Sequence, residues 1–338
     1  MEPYKALALQ TTCHAVNALA PQAARQQVLK NIAQIAQQIA ASKRFIGPDL
    51  RLVVLPEYFA TGFPMGESFA LWQEKACFHA QGPEYAALAE IAKDQNIFLS
   101  GNAYELDPHF PALYFQAGFV FAPTGEMILR YRRLNSMFAP TPHDVWDRYV
   151  EIYGLDGVFP VAKTEIGNLA CIASEEILYP EIARCLMMRG AEVFLHATSE
   201  IGSPLLTQKG VAKLARAIEN MAYVVSANSA GIAGIDIPFA STDGLSKIIN
   251  NEGLVLCEAG YGESMVANAT IDIEALRKHR KRPAMSNFIA RQRFELFADS
   301  YQQAHLYPVN TFLNKSPDRQ DFIKNIQEGI QNYLNKHV

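Results

Sequence analysis

Short apolar runs rich in branched residues alternate with amphipathic stretches through the first 230 residues, and this alternation restricts the fold more than any other feature. It requires strands buried in a sheet with helices laid against them, an α/β layered domain. Lys5 to Gln10 reads as a strand. Pro21 to Ser42 sets Val28, Ile32, Ile35 and Ile39 at spacings of four, three and four, which is one apolar face of a helix. Leu52–Leu55, Phe98–Glu105, Leu113–Phe121, Met127–Arg133 and Asn168–Ala173 follow as strands, with the turn-like Pro123-Thr124-Gly125 inside the series. Pro180 opens a helix to about Arg189, because proline is tolerated in a first turn. Val193–His196 and Tyr223–Asn228 read as strands on either side of a helix through Arg216 and Asn220. Strands return at Leu245–Ile249, Val255–Ala259 and Met265–Asp272.

No Gly/Ser-rich or charged linker divides the chain, so one domain is expected over residues 1–300, followed by a helical extension over 301–338. In that extension Ser316 is expected to cap a helix begun by Pro317, with Phe322, Ile323, Ile326, Ile330 and Tyr333 on one face. Such a face needs cover, from the chain's own core or from a partner subunit. With 49% hydrophobic and 19% charged residues, a sizeable core is available. A net charge of −4 gives no reason to expect nucleic acid. The basic cluster Arg277, Lys278, His279, Arg280, Lys281 and Arg282 reads as a helix end, where cations suit the macrodipole. Five cysteines without a CxxC pair, and no signal peptide, fit a reduced cytoplasm. No window approaches the roughly 20 apolar residues of a membrane span, so no membrane association is expected.

Three segments place polar groups at the ends of buried strands, where α/β proteins gather functional side chains. In Leu52-Val53-Val54-Leu55-Pro56-Glu57-Tyr58, Glu57 follows an apolar run and is expected in a desolvated site suited to a base. A second strand ends in Arg130-Tyr131-Arg132-Arg133. The third, Asn168-Leu169-Ala170-Cys171-Ile172-Ala173, delivers Ser174 onto the polar turn Glu175-Glu176-Ile177-Leu178-Tyr179 before the helix at Pro180, in the manner of a nucleophile elbow. Cys171 faces the other side of its strand from Ser174 and reads as a small buried hydrophobe. His143, Asp144 and Trp146 lie in the loop after Arg133. An exposed acid such as Asp144 more often caps a helix than takes part in chemistry. His196 ends a strand and is as readily structural as functional. No residue spacing suggests a metal site, and no glycine-rich phosphate loop implies a nucleotide cofactor.

Taken together these segments resemble the nitrilase superfamily of carbon-nitrogen hydrolases, and in motif wording the aliphatic amidases. Gly190-Ala191-Glu192, Arg216-Ala217-Ile218-Glu219-Asn220, Val225-Ser226-Ala227-Asn228, Gly244 and Ser246 extend the likeness along the chain. The resemblance implies a four-layer α-β-β-α sandwich, a homodimer or larger homo-oligomer, and a Glu-Lys-Cys triad. Glu57 matches the family glutamate. Arg133 stands where the lysine is expected, and Ser174, six residues before Pro180, stands where the cysteine is expected. A second family glutamate would fall on Thr141, eight residues beyond Arg133. The implied reaction is hydrolysis of a carbon-nitrogen bond of a small amide or nitrile, through a Glu57/Arg133/Ser174 variant with the Glu175 backbone N–H at the oxyanion. Tyr58, His143, Asp144, Trp146 and His196 are the expected pocket residues. The alternative is a catalytically impaired relative that binds a small ligand or serves in assembly, since removing members of a unit disables the whole.

Overall fold

The apolar runs become strands because branched side chains suit a pleated, buried surface. The computed structural model describes residues 1–201 and 206–337. In chain order the first half holds β1 (Tyr4–Ala8), β2 (Cys13–His14), α1 (Pro21–Ile46), β3 (Leu50–Val54), α2 (Phe69–Ala76), α3 (Pro83–Asp94), β4 (Phe98–Leu106), β5 (Tyr114–Phe121), β6 (Met127–Arg132) and α4 (Trp146–Tyr153). The second half begins with β7 (Ala162–Thr164), β8 (Gly167–Ala173), α5 (Pro180–Met188), β9 (Val193–Ala197), α6 (Gln208–Asn220) and β10 (Tyr223–Ala227). It continues with β11 (Ile232–Ala233), β12 (Lys247–Ile249), β13 (Val255–Glu258), β14 (Asn268–Ile271), α7 (Ile273–Lys281), α8 (Glu295–Gln303) and α9 (Arg319–His337).

Two six-stranded sheets form, ordered β14-β1-β3-β4-β5-β6 and β13-β12-β10-β9-β8-β7. Each has a parallel centre, β1-β3-β4 in one and β10-β9-β8 in the other, with antiparallel strands outside it. Parallel strands need cover on both faces, and the side-chain alternation supplies it. On β1, Ala6 and Ala8 pack with residues of β8, β9 and β10, while Leu7 and Leu9 pack with α1 and α3. The second sheet's outer face is covered by Ile182, Ala183 and Leu186 of α5 and Ala212 and Ala217 of α6. The order of layers is therefore helix, sheet, sheet, helix, the sandwich implied by the sequence.

On α1, Val28, Ile32, Ile35 and Ile39 are all buried, each contributing on the order of 1.5–3 kcal/mol. The sheets approach closely at Gly118 of β5, where a Cβ would stand 2.8 Å from Cys171 Cβ. Cys171 is thus a packing residue, and burial pushes its thiol up to about 12. Arg277 of the basic cluster pairs with Glu192, and Arg280 donates to the carbonyls of Met221, Ala191 and Asn220, so this helix end anchors α7 to the sandwich. No helix among the described residues is long and apolar enough to cross a membrane.

The boundary expected at residue 300 falls inside α8. Beyond it, Phe312 and Phe322 pack with Phe110, Leu113, Phe115, Val145 and Tyr149 of the same chain. The cap of α9 differs from expectation. Asp318 accepts from the N–H groups of Gln320 and Asp321, and Asp321 accepts from Asp318 N–H. Ser316 instead directs its hydroxyl to Ala112 O at 3.4 Å. A carboxylate can accept two such bonds at once, which favours Asp318 over the hydroxyl two residues earlier.

Candidate active site

The parallel centres of the two sheets bring their strand ends together. Beyond β3, Glu57 is buried, and its backbone N–H donates to Thr198 O beyond β9 at 3.2 Å. Arg133 follows β6 directly, with its N–H on Gln116 O of β5 at 2.9 Å. Its Nη1 lies 3.1 Å from Glu57 Oε1 and also donates to Gln116 Oε1. Gln116 Nε2 donates to the same Glu57 oxygen at 3.2 Å. Arg133 Nη2 pairs with the Glu175 carboxylate, and Nε donates to Asn135 O at 2.7 Å. Burial opposes the guanidinium's charge, but Glu57, Tyr58 and Glu175 outweigh it and hold Arg133 protonated beyond its usual range. Tyr58, in the left-handed region at φ 60, hydrogen-bonds to Gln116 and Glu57 through its hydroxyl.

Ser174 closes β8 at φ 49, a left-handed conformation that a non-glycine residue adopts at a cost of about 1–3 kcal/mol. Several contacts maintain it. His196 Nε2 lies 2.8 Å from the Ser174 carbonyl, and its Nδ1 lies 2.9 Å from Ser226 Oγ. A carbonyl only accepts, so Nε2 carries the proton and the Ser226 hydroxyl donates to Nδ1. Burial, then Lys213, holds His196 well below the usual histidine range, so the ring is neutral. Arg216 ties down the following 3-10 turn through Ile177 O at 2.9 Å and Leu178 O at 3.2 Å. Asn228 braces the neighbouring loop through Gly244 O at 2.7 Å and Glu200 O at 2.9 Å.

Glu176 is the second buried acid of the elbow. It accepts from Leu134 N–H at 2.6 Å, Asn135 N–H at 3.0 Å, Tyr131 O–H at 2.7 Å and Ala173 N–H at 3.2 Å. Burial pushes it up to about 7, against the pull of Arg133 and these hydrogen bonds.

Two polar side chains at the site lie outside the sequence expectations. Lys209, in the first turn of α6, places Nζ 3.0 Å from Ser174 Oγ and 3.4 Å from Thr198 Oγ1. Gln116 was visible as a lone amide within the buried run of β5. Lys209 had only a weak sequence signal, a cation at the wrong end of a helix.

A cavity of about 580 Å³ opens beside this cluster, walled by Asn135, His143, Trp146, Phe159, Glu175 and Tyr179, with Tyr307 and Ile326 from the C-terminal segment. His143, Asp144 and Trp146 line it as expected of pocket residues, although Trp146 begins α4 rather than lying in a loop. Asp144 is occupied as a cap, accepting from Thr141 N–H and Oγ1, each at 2.8 Å, and from Thr311 Oγ1 at 3.0 Å. Thr141, where a second glutamate would fall, is its partner. Tyr58 and His196 are not in the cavity wall: the first touches Glu57, and the second braces Ser174 through its carbonyl. Another cleft, of about 450 Å³ beside α1, shares none of Glu57, Arg133, Ser174 or Lys209. Among the described residues no group of three or more His, Cys, Asp or Glu side chains could hold a metal ion.

The family model for carbon-nitrogen hydrolases matches residues 13–281, from β2 through α7. The chain belongs to this family. It is 29% identical over 236 residues to a formamidase of Bacillus cereus strain AH820, and to one of Bacillus anthracis, covering 69% of this chain and 65% of each relative. The match thus spans a little under two thirds of those formamidases. Among solved structures, Saccharomyces cerevisiae Nit3, of the nitrilase superfamily, superimposes with a TM-score of 0.63 at 18% identity, covering 84% of this chain and 95% of its own. A mutant of the Nesterenkonia AN1 amidase gives 0.61 at 19% identity, covering 88% and 97%. A carbon-nitrogen hydrolase of Helicobacter pylori G27 gives 0.64 at 18% identity, covering 89% and 99%. These likenesses establish the nitrilase-type sandwich for this carbon-nitrogen hydrolase family member.

Proposed function

We propose that the protein hydrolyses the carbon-nitrogen bond of a small amide or nitrile, with Ser174 as nucleophile in a Glu57/Arg133/Ser174 variant of the family triad. The observation that carries this reading is the backbone of Ser174, held at φ 49 on a braced strand-to-helix elbow beside the cavity. Strain of this kind clusters at functional sites. The formamidase relatives and the amidase neighbour support the amide as substrate class. In the amidase from Nesterenkonia sp. AN1 acrylamide adds to an active-site cysteine, and here a hydroxyl takes the thiol's place.

In this reading Ser174 Oγ attacks the substrate carbon and the Glu175 backbone N–H donates to the developing oxyanion. Arg133 supplies fixed positive charge. It does not exchange protons as lysine does, because a guanidinium stays protonated throughout. Glu57 holds Arg133 in register through their ion pair. Trp146, Phe159 and Tyr179 suit a substrate with an apolar body larger than formamide.

The test is a pulse of small amides, nitriles and esters followed by intact mass. The expected result is an acyl adduct on Ser174 that disappears in Ser174→Ala. No adduct and no turnover across the panel would leave a protein that binds without reacting.

A further inference from the structure

A serine nucleophile must lose a proton that a thiol gives up far more readily. The base that takes it has to lie within about 2.6–3.2 Å of the hydroxyl oxygen. Lys209 Nζ meets this condition, 3.0 Å from Ser174 Oγ. Glu57 Oε1 is engaged elsewhere, by Arg133 Nη1 at 3.1 Å and Gln116 Nε2 at 3.2 Å.

The placement of Lys209 has no structural explanation of its own. It stands in the first turn of α6, after Thr207, whose side chain accepts from Gly210 N–H at 2.9 Å. A cation there faces the positive end of the helix dipole, the reverse of what helix stability favours. No acidic residue in that turn offsets it. One turn further, Lys213 is paired with Glu200. Among the described residues, the hydrogen bonds of Lys209 Nζ are instead to two hydroxyls, Ser174 Oγ and Thr198 Oγ1. The charged or titratable groups around it are Lys213 on its own helix and the neutral His196 on β9. An amine set against hydroxyls is arranged for exchanging a proton.

We propose that Lys209 is the proton-transfer partner of Ser174 in amide hydrolysis. Its free amine takes the Oγ proton as Oγ bonds to the substrate carbonyl carbon. The resulting ammonium passes that proton to the substrate nitrogen as the carbon-nitrogen bond breaks, releasing the amine and leaving an ester on Ser174. The amine then takes a proton from water as the hydroxide oxygen attacks the ester carbon. It returns this proton to Oγ as the ester bond breaks, releasing the acid and restoring the enzyme. The assignment rests on the hydrolase reading above. It also accounts for the two departures together: arginine at 133 removes a proton-exchanging lysine from β6, and α6 supplies one to the serine.

The test uses the full chain and a serine-directed fluorophosphonate, which releases fluoride and leaves a phosphonyl ester that intact mass detects. Wild type is expected to label at Ser174. Lys209→Met and Lys209→Arg are both expected to label about 10²–10⁴-fold more slowly, the range for loss of a general base. Lys209→Gln serves as a second neutral variant should Lys209→Met misfold. Labelling of Lys209→Ala is expected to recover with added n-propylamine, and to recover more with more basic amines. Lys209→Arg near the wild-type rate would overturn the assignment, since charge alone would then suffice. So would slow variants with no amine rescue, which would indicate a packing role. A wild type that labels, with Lys209→Met equally fast, overturns this inference alone. A wild type that neither labels nor turns over any amide overturns the hydrolase reading as well.

Discussion

Replacing Glu176 with glutamine should flatten the pH dependence of stability in the acid-to-neutral range. The Glu176 carboxylate is fully buried and joins three segments: the loop at Leu134 and Asn135, the hydroxyl of Tyr131 on β6, and the end of β8 at Ala173. Burial pushes its pKa from the ordinary 4.5 up to about 7. Between those values the folded protein holds a proton that the unfolded chain has lost. The stability from that proton is complete below about pH 4.5, falls as the pH rises, and is gone above about pH 7. At about 1.36 kcal/mol per pH unit, the interval is worth roughly 3 kcal/mol.

Glutamine removes the titration but offers one oxygen where the carboxylate offered two. Its oxygen can accept from Leu134 and Asn135, and its amide can donate to Tyr131 once that hydroxyl turns. The Ala173 N–H is then left facing a donor, at a cost of about 1–3 kcal/mol at every pH. The variant should therefore be the less stable protein near pH 5 and match or exceed wild type near pH 8. Urea unfolding of both proteins across that range measures the difference. A wild-type-minus-variant difference that stays constant to within about 1 kcal/mol would refute the assignment, whatever the overall pH profile of each protein.

Arg133→Met should destabilise the fold by about 3–5 kcal/mol in the same assay, because it leaves the buried Glu57 carboxylate without its ion-pair partner. Arg133→Lys should recover part of that loss, since one ammonium can reach Glu57 without also holding Glu175. His196→Ala should cost about 1–3 kcal/mol and slow Ser174 acylation at least tenfold, because the Ser174 carbonyl loses its donor. Its effect on acylation should not vary between about pH 5 and 8, since His196 is already neutral in the folded protein. A pH-dependent effect there would contradict the tautomer assigned to it.

Much of the sandwich was legible because local pattern and tertiary environment agree. The spacing of Val28, Ile32, Ile35 and Ile39 marked α1, and the run before Ser174 marked β8, since in both cases the same residues that set the period are the ones buried. Legibility failed where that agreement is weak. In α3 the inward positions Tyr85, Leu88 and Ile91 stand among alanines, which show little contrast between faces. Trp146 opens α4 after a turn set by Thr141 and Asp144, a boundary fixed by side-chain hydrogen bonds rather than periodicity. Glu57, Arg133 and Ser174 could be found because each follows an apolar strand. Lys209 could not, because its contact with Ser174 spans 35 residues and depends on how α6 is laid over the second sheet.

That difference bears on how the two substitutions relate to each other. A lysine at 133 would present one compact charge, whereas the arginine fork reaches Glu57 with one nitrogen and Glu175 with another, tying β3 to the elbow through β6. Glu175 is the residue directly after Ser174, so the guanidinium restrains the same turn that His196 holds from the other side through the Ser174 carbonyl. Positional restraint and proton exchange, which one lysine would have to combine, are in this arrangement divided between Arg133 and Lys209. The division is chemically consistent: a hydroxyl nucleophile gains most from a rigid elbow and a nearby amine, and neither Arg133 nor Lys209 can supply both.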